Sequence, residues 1–123
     1  MATPLDQHER FMRDRLEDPE SQKAEALQWL ETSHGRNTLG ELGSTQASID
    51  LVKAIYAAAA AEVIAVESDD YDGHQNSGKL IIKLPTNKAD RARVFDWHGK
   101  QAESMGCDAG QEVGQSHLFS MLD

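Results

Sequence analysis

Two short runs near the middle of the chain constrain the fold more than any other feature. Residues 61–68, AEVIAVES, and 79–84, KLIIKL, are rich in the branched aliphatic side chains that suit a pleated surface. In the second run Leu80, Ile82 and Leu84 alternate with Lys79, Ile81 and Lys83, the period of two by which a strand presents two faces. The ten residues between the runs, DDYDGHQNSG, are mostly turn formers, so the two strands pair most simply as an antiparallel hairpin.

Helical patterns flank this pair. Over 45–60, Ile49, Val52, Tyr56 and Ala59 recur at the spacing of one helix face, and Leu51, Ile55 and Ala58 widen it. Ser44 or Thr45 caps that helix. After Pro85 ends the second strand, Asn87 caps a helix over 88–105, with Asp90 three residues on. Its expected buried stripe is Ala92, Phe95, Gly99, Ala102 and Met105, and Gly106 ends it. Ser116–Leu122, SHLFSML, reads as the last strand. A short strand near Asn37–Leu42 would complete the pattern, although RNTLGELG carries two glycines and little β-branching.

The resulting order from residue 36 is strand, helix, strand, strand, helix, strand. It resembles the ferredoxin-like βαββαβ plait of the α+β class, which implies a four-stranded antiparallel sheet with two helices on one face. Residues 36–123 are read as that domain and residues 1–35 as an N-terminal helical hairpin. In the hairpin, Leu5, His8, Met12 and Leu16 share a face of a helix over 4–17. The Asp18-Pro19 pair breaks that helix and starts a second, with Asp18 as its cap, Ala24, Leu27 and Leu30 as its stripe, and Gly35 as its end. The plait hosts many unrelated functions and implies none of them.

The opposite face of the expected sheet holds Val63, Ala65, Ile81 and either Phe119 or Leu118, beside Glu67, Lys79 and Lys83. The last strand is apolar on both faces, whereas a strand with one wet face alternates more cleanly. This surface therefore needs a cover: the N-terminal hairpin, a second copy of the chain or a ligand. Ile81, His117 and Phe119 are the candidate interface or ligand-face residues. Trp97, off the main stripe of its helix, marks a further contact surface.

Charge narrows the partners. The chain has 12 Lys plus Arg against 21 Asp plus Glu, a net charge of −9. The excess is spread along the whole length, so no basic patch exists to release counterions from nucleic acid or to hold an anionic membrane. No run of about 18 apolar residues is present, and the start, MATPLDQHERF, lacks the basic and apolar regions of a secretory signal, so a cytoplasmic location is expected. The single cysteine excludes an internal disulfide. Cys107 follows a helix C-terminus, where the dipole raises a thiol pKa and disfavours a nucleophile.

Chemistry-bearing clusters are few. Asp70, Asp72 and His74, with Asp69 beside them, are the candidate metal ligands. The calcium-loop pattern fails: if Gly73 is the turn glycine at position 6, position 12 is Lys79, which cannot close the site with a carboxylate. His98, on a helix beside Trp97, is a candidate general base, or a boundary side chain with one hydrogen-bond partner. ELGSTQ places backbone N–H groups at a helix start, a place for an anion, but no lysine follows as in a nucleotide-binding loop. No catalytic residue and no cofactor is assigned. The expected function is a non-enzymatic interaction or regulatory domain, with a protein partner or a homodimer through the sheet face. The alternative is a small enzyme or metal-binding protein built on that face and the 69–74 loop.

Overall fold

A computed structural model describes residues 4–18, 23–71, 73–104, 106 and 112–122. Pro19, Asp72, Met105 and Cys107, which figure in the reading above, lie outside these residues. The chain forms α1 (Pro4–Glu17), β1 (Lys23–Glu25), α2 (Ala26–Glu31), β2 (Thr38–Leu39), α3 (Thr45–Ala57), β3 (Glu62–Val66), β4 (Asp69–Tyr71), β5 (His74–Ser77), β6 (Lys79–Lys83), α4 (Lys88–Ser104) and β7 (His117–Met121).

The fold is mixed α+β around a four-stranded antiparallel sheet of order β1-β3-β6-β7. A smaller sheet, β2-β5-β4, sits beside it. The expected β3–β6 hairpin pairing is present, with Val63 opposite Ile82 and Ile64 opposite Ile81. The loop between them is itself folded, because β4 and β5 pair antiparallel and β2 adds to β5 in parallel.

This order differs from the plait. There the strand before the first helix lies between the last two strands, whereas here β7 pairs directly with β6. The cause is local. The segment expected as a strand over Asn37–Leu42 supplies only Thr38 and Leu39. Gly40 then turns the chain at φ +51°, where a Cβ would lie 2.6 Å from that of Leu122 and closer still to the Leu122 carbonyl oxygen. The expected helical hairpin is also replaced. α2 is only six residues long, and Glu25 rather than Asp18 caps it, its carboxylate accepting from Leu27 N (3.1 Å) and Gln28 N (2.7 Å). The residues just before the cap are extended and pair with β3, which satisfies their backbone groups.

The two faces of the large sheet carry separate cores. Val63, Ala65, Leu80, Ile82 and Leu118 point inward to Ala26 and Leu30 of α2, Val52 and Ile55 of α3, and Val94 of α4. Ile64, Val66, Ile81 and Phe119 point outward to Phe11, Met12 and Leu16 of α1. Val63 and Ala65 thus lie on the helix-covered side, the reverse of the expectation. Residues 63–66 are apolar on both faces, so alternation could not assign a side; the register opposite β6 does so. The buried stripe of α4 is likewise turned: Val94, His98 and Ala102 are buried and Ala92 is exposed.

Polar side chains tie the layers together. Ser44 caps α3, its hydroxyl accepting from Ala47 N at 3.1 Å. Asn87 caps α4, accepting from Ala89 N at 2.8 Å and Asp90 N at 3.2 Å. Fully buried Ser48 accepts from Leu39 N and donates to Ser44 O, both at 2.9 Å, joining β2 to α3. The Tyr56 hydroxyl donates to Glu25 at 2.5 Å and accepts from Val63 N at 3.1 Å, so α2, α3 and β3 meet at one phenol. Burial, reinforced by donation to a carboxylate, pushes that phenol up to about 12.

Candidate functional site

Three places merit description: a groove at Trp97, a cleft at the start of α3, and a polar cluster where α1 meets β7. The groove, of about 480 Å³, runs between the end of α3 and the exposed side of α4. It is lined by Ala58, Ala92, Arg93, Asp96, Trp97 and Lys100. Trp97 is half-buried: it packs against the inner core at the edge of the Val94–His98 stripe and leaves part of its ring in the groove. Arg93 donates to the last carbonyls of α3, at Ala57 O (2.9 Å), and lies 3.8 Å from Asp90. Lys100 lies 3.1 Å from Asp96, one turn back on the helix. The cations on the rim are therefore balanced within the chain, and the floor is apolar.

The cleft, of about 650 Å³, lies between the start of α3 and the β4–β5 turn, lined by Gly35, Arg36, Thr38, Gly43, Ser44, Thr45, Gly73 and His74. Its hydroxyls have partners in the fold: Ser44 caps α3, and Thr45 donates to Asn37 O at 2.6 Å. Arg36 and His74 are exposed at its rim.

The expected metal ligands do not converge. Strand register sets Asp70 opposite Gln75 and Tyr71 opposite His74. Alternate residues face opposite ways, so Asp70 and His74 project from opposite faces of the hairpin. The Asp70 carboxylate accepts from the Gln75 amide at 2.9 Å. Asp72 is outside the described residues. Among the described residues no group of three His, Cys, Asp or Glu side chains could hold a metal ion.

The histidines on and around β7 serve its backbone. Ser116 O and Leu122 N bond toward β6, so the carbonyls of His117 and Phe119 point to the free edge of the sheet. His8 of α1 donates from Nε2 to His117 O at 2.6 Å, and His98 of α4 donates from Nε2 to Phe119 O at 3.0 Å. Two histidines thus cover consecutive outward carbonyls of an edge strand, where open groups invite pairing with other chains. Because Nε2 of His98 must carry its proton to donate, Nδ1 is left as a buried acceptor without a hydrogen-bond partner among the described residues.

Ile81 and Phe119 have their cover in α1. Ile81 is fully buried, and the Phe11 and Phe119 rings meet edge to face at 5.2 Å. Arg15 lies over the Phe11 ring at 3.4 Å and 3.6 Å from Glu67, which also pairs with Lys79 at 2.7 Å. At the other end of α1, Glu9 accepts from Ser116 N and from Ser116 Oγ, each at 2.7 Å, and Ser116 Oγ lies 2.7 Å from Nδ1 of His117. A serine, a histidine and a carboxylate are adjacent here, but the carboxylate holds the serine rather than the imidazole. This is the reverse of the order in which a base activates a hydroxyl.

The sequence singled out Trp97 and the ELGSTQ turn, and both line concave surfaces. It missed Arg93 and Ala58, whose roles depend on how α3 and α4 cross. It also missed Glu9 and Ser116, which lie 107 residues apart. Charged residues on an exposed helix and a serine before a strand gave no sign of a pair. Among the described residues, no helix is long and apolar enough to cross a membrane. No protein-family model, curated protein or solved structure matches the chain.

Proposed function

We propose that this protein is a non-enzymatic interaction domain that docks a basic partner carrying an apolar anchor on its α3–α4 face. The observation that carries the reading is the Trp97 groove. A part-exposed tryptophan over an alanine floor, ringed by charged side chains, has the make-up of an interface hot spot: an aromatic anchor with a polar rim. A volume of about 480 Å³ lies within the range of pockets that take a bulky side chain or small ligand.

Charge selects the kind of occupant. Rim cations are already paired with Asp90 and Asp96, so local charge does not call for an anion. At long range the chain carries −9, which repels a second copy and draws a basic partner into encounter. A homodimer through the sheet face, the other expectation from the sequence, would require α1 to leave Ile81 and Phe119.

Two synthetic helical peptides test the reading, with the same Leu and Phe anchors, one flanked by Lys and the other by Glu. They are titrated into a Trp29→Phe background, so that Trp97 alone reports. A saturable emission change with the Lys-flanked peptide, weakened by salt and absent in Trp97→Ala, supports the proposal. Equal response to both peptides, no response, or binding that survives Trp97→Ala overturns it.

A further inference from the structure

We propose that α1 is a releasable cover over the outer sheet face, clasped to the start of β7 by Glu9, and that protonation of the clasp opens it. The geometry singles out Glu9. Both its oxygens are used on one residue, Oε1 by the Ser116 N–H and Oε2 by the Ser116 hydroxyl. Ser116 has one hydroxyl proton, and the carboxylate, which can only accept, takes it. The 2.7 Å contact with His117 is then a donation from Nδ1–H to Ser116 Oγ. The chain of donors runs from His117 through Ser116 and ends on the Glu9 carboxylate. Adding a proton to that carboxylate turns one of its two accepting oxygens into a donor, so it no longer matches both Ser116 donors.

The groups facing the clasp come from every element around it. His8 and Glu9 belong to α1, Glu62 to β3, Lys83 to β6 and His117 to β7. Burial works against the charged form of Glu9, yet the two bonds from Ser116, with His117 and His8 nearby, hold its carboxyl below the ordinary value. Burial also lowers His117; Glu9 and Glu62 oppose this, and Lys83 and His8 add to it. Both groups therefore bind protons more readily once α1 has left. For a lowered carboxyl and a lowered imidazole alike, the attachment is strongest above the free-state values and is lost as pH falls.

The inner core does not share this clasp. Its contacts with α2, α3 and α4 contain no Glu9, His117 or Ser116. Opening α1 would bare Ile64, Val66, Ile81 and Phe119 while the sheet remains packed on its other side. The pair of Arg15 and Glu67, both part-buried, holds the far end of α1 through a contact that contains neither Glu9 nor His117.

The test is amide hydrogen exchange on the full chain, with α3 amides as the internal reference and intrinsic rates divided out. Between about pH 7 and about pH 4, protection of α1 is expected to fall about tenfold or more relative to α3. In Glu9→Gln, that relative protection is expected to be low already at about pH 7 and to fall less with further acid than in the wild-type chain, His117 being the clasp group left to titrate. The proposal fails if α1 and α3 lose protection in parallel in the wild-type chain, or if Glu9→Gln keeps the wild-type pH profile. The wild-type profile alone decides the matter if the variant does not fold.

Discussion

The two faces of the large sheet are buried to the same depth by different means. Ile82 and Ile81 are neighbours in β6, and both are fully buried. Ile82 lies in a core made by α2, α3, α4 and four strands, whose members range from Ala26 to Leu122. Ile81 lies in a core that one helix, α1, closes over strands already held by the sheet. Burial alone therefore does not report how much of the fold depends on a residue. A core assembled from many distant segments fails as a unit, whereas a face closed by one segment can open locally.

The sharpest break of the comparison is at the seam of the inner core. Gly40→Ala places a Cβ 2.6 Å from that of Leu122 and against backbone, at φ +51°. It is expected to cost about 3 kcal/mol or more of global stability, read in a denaturant titration. Next, Ile82→Ala is expected to cost about 3–4 kcal/mol, seen as a lower denaturation midpoint and as faster exchange in α3 and α4 together. Phe11→Ala removes the edge-to-face partner of Phe119 and the ring beneath Arg15. An effect of about 2 kcal/mol is expected, confined to α1, with α3 amides unchanged. If α3 loses protection as well, the two faces do not open independently.

The smallest effect tests the polar seam of the inner side. Tyr56→Phe leaves Val63 N–H without its acceptor and deprives Glu25 of a donor, a loss of about 1–2 kcal/mol. It also changes the response to base. The phenol stands at about 12, above its ordinary 10, so the unfolded chain gives up its proton first. Stability is expected to fall as pH rises from about 10 to about 12, and this part of the fall disappears in Tyr56→Phe. Tyrosinate absorbance followed alongside unfolding checks the assignment, the signal lost in Tyr56→Phe being that of Tyr56.

Much of the helical content was legible because its signals are local. Val52 and Ile55 of the α3 stripe, the Ser44 and Asn87 caps and the glycine after α4 are set by side chains a few residues apart, and each appears where expected: Gly106 has φ +74°, whereas Ala59 of the expected stripe lies past the end of α3 and α2 ends at Glu31, short of Gly35. Strands β3, β6 and β7 were legible for the same reason, as runs long enough to show their composition. The short strands were not. Thr38 and Leu39 are extended because Asn76 and Ser77 lie beside them, and Lys23–Glu25 because β3 does. At the candidate site, Trp97 was visible as an aromatic off its stripe. Its groove was not, because Ala58 comes from another helix.

The sequence by itself determined that α1, α3 and α4 are helices and β3, β6 and β7 strands, that the chain is acidic throughout, and that the outward side of β6 and β7 is too apolar to stay wet. Periodicity, capping and charge are properties of neighbours along the chain, and these suffice for such conclusions. Only the tertiary structure decided the strand order, which face Val63 and Ala65 join, and that α1 covers Ile81 and Phe119. Those choices depend on register and on contacts between residues up to about a hundred positions apart, where a one-residue slip exchanges the two faces of a strand.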